Sequence, residues 1–465
     1  MLQKPRTIGE LKASEYKVLS VKEEMRKNLT DKLRRGEPIF SGIIGYEESV
    51  IPQLETAIIA GHDIIFIGER GQAKTRLIRA ITSLLDEEIP TIKGSEINDN
   101  PYSPVSKKCR DLVRELGDDA EITWVRRDER YGEKLSTPDT SIADLIGEVD
   151  PIKVAEGRYL SDELTIHFGL IPRSNRGIFA INELPDLVEK VQVGLFNIME
   201  EKDIQIKGYK IRLPLDICIV ATANPEDYTN RGRIITPLKD RFQSQIRTHY
   251  PPRQEEEIRI MEQEARILKR DGCVVKVPKF IKQIIAEITF QARGSNDINQ
   301  RSGVSVRTTI ANYESVIAAA EKRGIKLGER EVAPRITDFS AIIPSTIGKI
   351  ELEYIGEDTS EVNIVEKLIK RAIKIVLDSY FSSLNLFSEL LESFEHGYVE
   401  VSDTMSSEEY LVGVKEIKGL KKCIDALQID QSPAEIASAV EFILEGLHLS
   451  NKLSKEKVLG KIIYK

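Results

Sequence analysis

Between residues 40 and 250, short apolar runs alternate with stretches of helical periodicity. Ile64–Ile67, Ile122–Val125, Ile178–Ile181 and Ile217–Ala221 are short runs rich in β-branched side chains, the signature of buried strands. Glu47–Ala60, Lys74–Leu85, Lys107–Glu115 and Leu187–Glu201 repeat apolar residues at helical spacing. Strands interleaved with helices predict an α/β domain whose mainly parallel sheet is covered by helices on both faces. The polar stretch between Leu85 and the strand carrying Trp124 is long for a compact α/β connection and predicts an insertion with its own short helix.

The flanks read differently. Residues 1–39 are polar and helix-favouring, an N-terminal helical arm ending near Pro38. Pro251-Pro252 closes the α/β domain, 40–250. Helical patterns over Arg253–Lys269, Pro278–Arg293 and Arg307–Lys322 predict a helical lid, 251–330. More helices and polar turns fill 331–465, an all-α C-terminal domain. Ser406-x-x-Glu409 and Ser432-Pro433-x-Glu435 mark helix starts by the capping-box pattern.

Chemistry enters at the end of the first strand. In Asp63-Ile-Ile-Phe-Ile-Gly68-Glu69-Arg70-Gly71-Gln72-Ala73-Lys74-Thr75 an apolar run gives way to a tight loop, and Lys-Thr opens an amphipathic helix. Backbone N–H groups and a helix N-terminus arranged this way surround a polyphosphate. Lys74 reaches the β/γ-phosphates, and the Thr75 hydroxyl ligates Mg²⁺. The whole segment Gly68–Thr75 is the expected ATP-binding loop. Ala73 stands where the pattern has glycine, which asks for a loop without a strict positive-φ requirement there.

Two later strand ends supply partners. Gly177-Ile-Phe-Ala-Ile-Asn182-Glu183 offers Glu183 to polarise a water, with Asn182 near the metal where an aspartate is normal. An amide oxygen can accept from metal-bound water but carries no charge, so metal binding should survive and hydrolysis should slow. Ile217-Cys-Ile-Val-Ala-Thr-Ala-Asn224-Pro225 places Asn224 to hydrogen-bond the attacking water or the γ-phosphate. Arg241, in Asp240-Arg241-Phe242, is a candidate finger reaching the nucleotide of an adjacent subunit, a role that Arg231 or Arg233 can share. Arg307, at the start of a lid helix, is placed to meet the phosphates from the other side.

The balance of charge narrows the partners. A net charge of −8 leaves no general basic footprint for nucleic acid. No apolar run is long enough for a membrane span, and Met1-Leu-Gln-Lys-Pro-Arg lacks a secretory signal's apolar segment. The four cysteines, Cys109, Cys218, Cys273 and Cys423, are far apart, which argues for a reducing compartment and against structural zinc. A cytoplasmic protein is expected.

In combination these segments resemble the AAA+ ATPases, and within them the MoxR and magnesium-chelatase I-subunit branch. The likeness covers about residues 40 to 330. It rests on Gly68–Thr75, Thr137-Pro-Asp-Thr140 with Asp144-Leu-Ile-Gly147, Asn182-Glu-Leu-Pro185, Gln192-Val-Gly-Leu195, Ala221-Thr-Ala-Asn-Pro225 and Asp240-Arg-Phe242. The resemblance implies a ring of usually six copies with ATP and Mg²⁺ between protomers, where a trans arginine has meaning. It implies a protein client remodelled or activated by lid strokes, and a separate partner with a von Willebrand factor A-type domain. Segments 155–172 and 203–213 fall where this branch carries insertions facing the pore or client. The alternatives are a magnesium-chelatase motor subunit, a helicase-like nucleic-acid motor, and a slow nucleotide switch on account of Asn182. The Gly-Ala-Phe-Thr-Gly-Ala loop of bacterial enhancer-binding ATPases is absent from the sequence, which disfavours a transcription activator.

Overall fold

Side chains alternate across the central strands, and the alternation sorts them into two cores. In this computed structural model β1 (Ile64–Ile67), β2 (Tyr131–Leu135), β3 (Gly177–Asn182), β4 (Ile217–Ala223) and β5 (Ser244–Arg247) form one parallel sheet, in the order β5-β1-β4-β3-β2. Ile64, Phe66, Ile178, Ala180, Cys218 and Val220 point to one side. There they meet α1 (Val21–Arg35), α2 (Val50–Ala60) and α3 (Lys74–Ile81). Ile65, Phe179, Ile181, Ile219 and Ala221 point to the other, against α4 (Glu189–Glu201) and α5 (Thr236–Arg241). Burial on both faces is why the central strands read as continuous apolar runs. The structure describes the chain apart from residues 1–3, 151, 153–154, 156–162, 202–203, 207–208, 212, 226–231, 269–272, 301, 354–359, 382–386, 395–396 and 459–460. Segments 155–172 and 203–213 therefore lie partly outside the described residues, as does Arg231.

The expected α/β class is observed, with two differences among the strands. Residues Ile122–Arg126 do form a strand, but it pairs antiparallel with Glu88–Ile92, outside the main sheet. The two edges, β2 and β5, have no apolar run to announce them. Tyr-Gly-Glu-Lys-Leu and Ser-Gln-Ile-Arg are largely polar, because an edge strand is only half covered.

The chain divides into two units, Met1–His249 and Tyr250–Lys465. In the first, α1 begins with a capping box between Ser20 and Glu23, and its apolar face (Val21, Met25, Leu29) lies in the sheet core. Glu24 of α1 makes a buried bidentate pair with Arg130, at 2.8 and 2.6 Å. Such a pair adds little net stability but penalises any other placement of the helix. Arg130 immediately precedes β2, so this pair also pins the start of that edge strand.

The second unit is built around one core. α6 (Gln254–Glu264), α7 (Lys279–Arg293), α8 (Val306–Leu327), α9 (Glu361–Tyr380) and α10 (Pro433–Leu449) contribute Met261, Phe280, Val316, Leu368 and Phe442 to it. Residues from both sides of position 330 share that core. The region beyond 331 is not wholly helical: Val399–Val401, Lys461–Tyr464 and Lys455–Val458 form a small antiparallel sheet. Ser406 and Glu409 cap each other reciprocally, as their spacing predicts. Ser432 caps the N–H of Glu435, but the Glu435 carboxylate reaches back to Asp430 N instead. No helix among the described residues is long and apolar enough to cross a membrane.

Candidate nucleotide site

The loop after β1 is fixed from several sides. Gly68 N donates to Ala223 O at 3.1 Å. A Cβ on Gly68 would lie 2.0 Å from Thr248 Oγ1 and 2.2 Å from Gln72 Oε1, so only glycine fits. Those two atoms belong to a pair in which Thr248 Oγ1 donates to Gln72 Oε1 at 2.7 Å. Tyr46 OH lies 2.8 Å from both the Gln72 carbonyl and His249 O, and its one proton is shared between them. The Gln72 side chain is thus buried and spent on holding the loop, while Arg70 is exposed at its tip.

Ala73 corrects the expectation drawn from sequence. Its φ is +54° and ψ 18°, so the left-handed conformation is required there after all. The turn from Gly71, at φ +76°, into α3 demands it. An L-residue pays about 1–2 kcal/mol in that region. Alanine has the smallest side chain that can do so, and its methyl is exposed.

Lys74 opens α3 and folds back along the loop. Its Nζ donates to Gly68 O, to Glu69 O at 2.8 Å and to Asn224 Oδ1 at 2.7 Å. Thr75 Oγ1 donates to Asn182 Oδ1 at 3.3 Å. Glu183 follows Asn182 in the left-handed region, at φ 55° and ψ 51°, and its N–H donates to Thr222 Oγ1 at 2.9 Å. A glutamate held at positive φ at the mouth of a sheet is backbone strain of the kind found at functional positions. The C-terminal ends of β1, β3 and β4 therefore supply two hydrogen-bonded pairs from adjacent residues of α3, Lys74 with Asn224 and Thr75 with Asn182, and Glu183 follows Asn182 in the chain.

This donor set fits a magnesium-bound polyphosphate. It offers one ammonium, one hydroxyl and two amide oxygens beside a helix N-terminus, with a carboxylate adjacent. Lys74 and the Gly68–Thr75 backbone would hold the phosphates; Thr75 and Asn182 would face the metal.

The predicted arginines make contacts of their own. Arg241, at the end of α5, has its Nε 2.7 Å from Glu200 Oε2, an ion pair not aligned as a hydrogen bond. Its guanidinium lies 5.4 Å from the centre of the Phe196 ring. Arg233 is exposed, and the backbone around it is fixed by buried Gln192. Gln192 Nε2 donates to Arg233 O at 3.0 Å, and Gln192 Oε1 accepts from Ile235 N at 2.9 Å. Arg307, in the second unit, is exposed in the first turn of α8, where its N–H meets Ser305 Oγ at 3.1 Å.

One residue of the site escaped the sequence. Glu133, on edge strand β2, accepts from Asn182 Nδ2 at 2.7 Å. Arg79 of α3 pairs with it bidentately, at 2.9 and 3.0 Å, and Tyr131 OH donates to it at 2.9 Å. Partial burial pushes the Glu133 carboxyl up, but Arg79, Tyr131 and Asn182 together hold it below its ordinary value. The signals were present but weak: Arg79 stands one turn after Thr75 on the same helix face, and Tyr131 and Glu133 alternate on a strand too polar to read as one.

No protein-family model matches the chain. It is similar to the magnesium-chelatase subunit ChlI of Guillardia theta, 28% identical over 269 residues, which is 55% of this chain and 70% of that protein. It is also similar to the magnesium-chelatase 38 kDa subunit of Cereibacter sphaeroides, 26% identical over 268 residues, with the same shares of 55% and 70%. Among solved structures, the complex of subunits BchI and BchD of magnesium chelatase matches at 19% identity. That match covers 71% of this chain and 98% of that one, with a TM-score of 0.36.

Proposed function

From the premise that the chain belongs to the MoxR and magnesium-chelatase I branch of the AAA+ proteins, we propose that it binds Mg²⁺-ATP at Gly68–Thr75 and hydrolyses it, using the cycle to remodel or activate a protein partner. The observation that supports this best is that the first two residues of α3 meet the ends of two neighbouring strands, Lys74 at Asn224 and Thr75 at Asn182.

In this reading Lys74 exchanges its loop carbonyls for the β/γ-phosphate oxygens, and the backbone N–H groups of the loop orient the chain of phosphates. Mg²⁺ would supply positive charge to the phosphates, and Thr75 and Asn182 would hold it on the protein side. Glu183 accepts a proton from the attacking water, and Asn224 keeps that water in line. Arg241 leaves Glu200 to meet a neighbouring protomer's nucleotide, which requires a closed ring, taken here as a hexamer. A separate chain with a von Willebrand factor A-type domain is the proposed partner, and Arg307 couples the helical unit to nucleotide state. The names of the relatives favour a second reading, a chelatase motor subunit, which shares the same ATP chemistry.

The test is ATP turnover and binding of the purified chain beside Glu183→Gln. Turnover by the parent, with the variant binding ATP but turning over about 100-fold slower or worse, is expected for loss of a general base. Mixing Arg241→Ala with Glu183→Gln should restore part of the turnover if the arginine acts across subunits. Absence of heat on adding millimolar Mg²⁺-ATP to the parent ends this reading.

A further inference from the structure

Asn182 is an amide, and an amide has two faces. Its Oδ1 can accept from the Thr75 hydroxyl and from metal-bound water; its Nδ2 can do neither. Nothing in an isolated asparagine decides which face looks at Thr75. Here the neighbours decide. Glu133 presents only acceptors, so it must receive Nδ2, and it does so at 2.7 Å. That leaves Oδ1 toward Thr75 Oγ1 at 3.3 Å and Thr222 Oγ1 at 3.5 Å. Glu133 is in turn held by Arg79 through both carboxylate oxygens and by Tyr131 OH.

The chain closes on itself. Thr75 and Arg79 are four residues apart on α3, so they share one helix face. Thr75 contacts Asn182, Asn182 contacts Glu133, and Glu133 returns to Arg79. Strand register supports the same closure: β2 runs parallel to β3 with Leu135 opposite Asn182 and Glu133 opposite Ala180. The circuit therefore ties the helix behind the phosphate loop to the ends of two strands.

We propose that Glu133 is a positioning residue for the metal side of the nucleotide site: it fixes the Asn182 amide with its oxygen toward Thr75 and supplies, from the adjacent strand, a negative charge that Asn182 lacks. The proposal rests on the Mg²⁺-ATP reading given above. It makes Asn182 and Glu133 a matched pair, one donating and one accepting, whose roles can be exchanged. In Asn182→Asp/Glu133→Gln the glutamine NH₂ donates to the aspartate, the hydrogen bond survives, and the total charge is unchanged. In Asn182→Asp alone two carboxylates face each other across that same contact. In Glu133→Gln alone the new side chain can offer its own NH₂, so the Asn182 amide is free to turn.

The experiment is a calorimetric titration of the parent, the two single variants and the exchanged double variant with ATP, each with and without Mg²⁺. The quantity read is the factor by which Mg²⁺ tightens ATP binding. Each single variant should reduce that factor by about tenfold, the scale of one lost hydrogen bond to a charged group, and the double variant should recover most of it. Binding of metal-free ATP by Glu133→Gln should stay within about threefold of the parent, a change of less than 1 kcal/mol. If Glu133→Gln does not fold, Asn182→Asp carries the test: with the Glu133 carboxylate still facing the new aspartate the Mg²⁺ effect should weaken about tenfold, and an unchanged or stronger effect overturns the role given to Glu133. A parent whose Mg²⁺ effect is matched by both single variants, or a double variant no better than the worse single one, overturns the role given to Glu133 and leaves the ATP reading intact. A parent that binds no ATP overturns both.

Discussion

The phosphate loop and the strand-end corner meet at Thr75, yet they are held by different means. The loop is fixed by its backbone: Gly68 has no room for a Cβ, Gly71 and Ala73 adopt positive φ, and Gln72 is fastened by Tyr46 and Thr248. The corner is fixed by side chains from separate segments, with Asn182, Glu133, Arg79 and Tyr131 holding one another. A backbone device needs particular residues at consecutive positions, so it leaves a motif. A side-chain network needs only complementary groups brought close by the fold, so its members are scattered over more than a hundred positions and leave none.

Breaking the loop should cost more than anything done to its surroundings. Lys74→Ala removes the ammonium without disturbing Gly68, Gln72 or Thr248. ATP affinity should fall by about two orders of magnitude, the worth of one or two charge-assisted hydrogen bonds, while the thermal midpoint of the ligand-free protein moves little. Titration calorimetry and a melting curve of the same preparation check both halves. Gly68→Ala attacks the backbone instead. The new methyl must displace Thr248 Oγ1 or Gln72 Oε1, both part of a buried hydrogen bond. Overpacking of this kind costs about 1–3 kcal/mol, read as a lower urea midpoint at unchanged slope. A variant with parental stability would mean that the Thr248–Gln72 pair does not anchor the loop.

How far the sequence was legible follows the same division. The central strands β1, β3 and β4 were readable because burial on both faces leaves only apolar residues. Lys74, Thr75, Asn182, Glu183 and Asn224 could be named because each sits at the end of such a strand or in the motif after it. β2 was not readable: of Tyr131-Gly-Glu-Lys-Leu135 no residue is fully buried, and its place is set by pairing with β3 and by the Arg130–Glu24 contact before it. Glu133 was lost with its strand. Distance along the chain hid it too, since Arg79 precedes it by 54 positions and Asn182 follows it by 49. Conformation was the other blind spot. Letters alone could not say that Ala73 is left-handed, because alanine at that position argues against it.

Ala73 offers the smallest effect and the finest test of the backbone account. In Ala73→Gly two terms oppose each other. Relief of the left-handed conformation favours the folded state by about 1–2 kcal/mol. Glycine also loosens the unfolded chain, which costs about 0.4–1 kcal/mol. The difference predicts a net gain of roughly 0.5–1 kcal/mol in stability, visible as a small rise in urea midpoint, with ATP affinity within about twofold of the parent. The sign is what matters: the same glycine-for-alanine exchange in the middle of a helix destabilises by a similar amount. A lower midpoint for Ala73→Gly would show that the alanine is not strained, and the loop would then owe its shape to the Gln72 anchors rather than to φ at position 73.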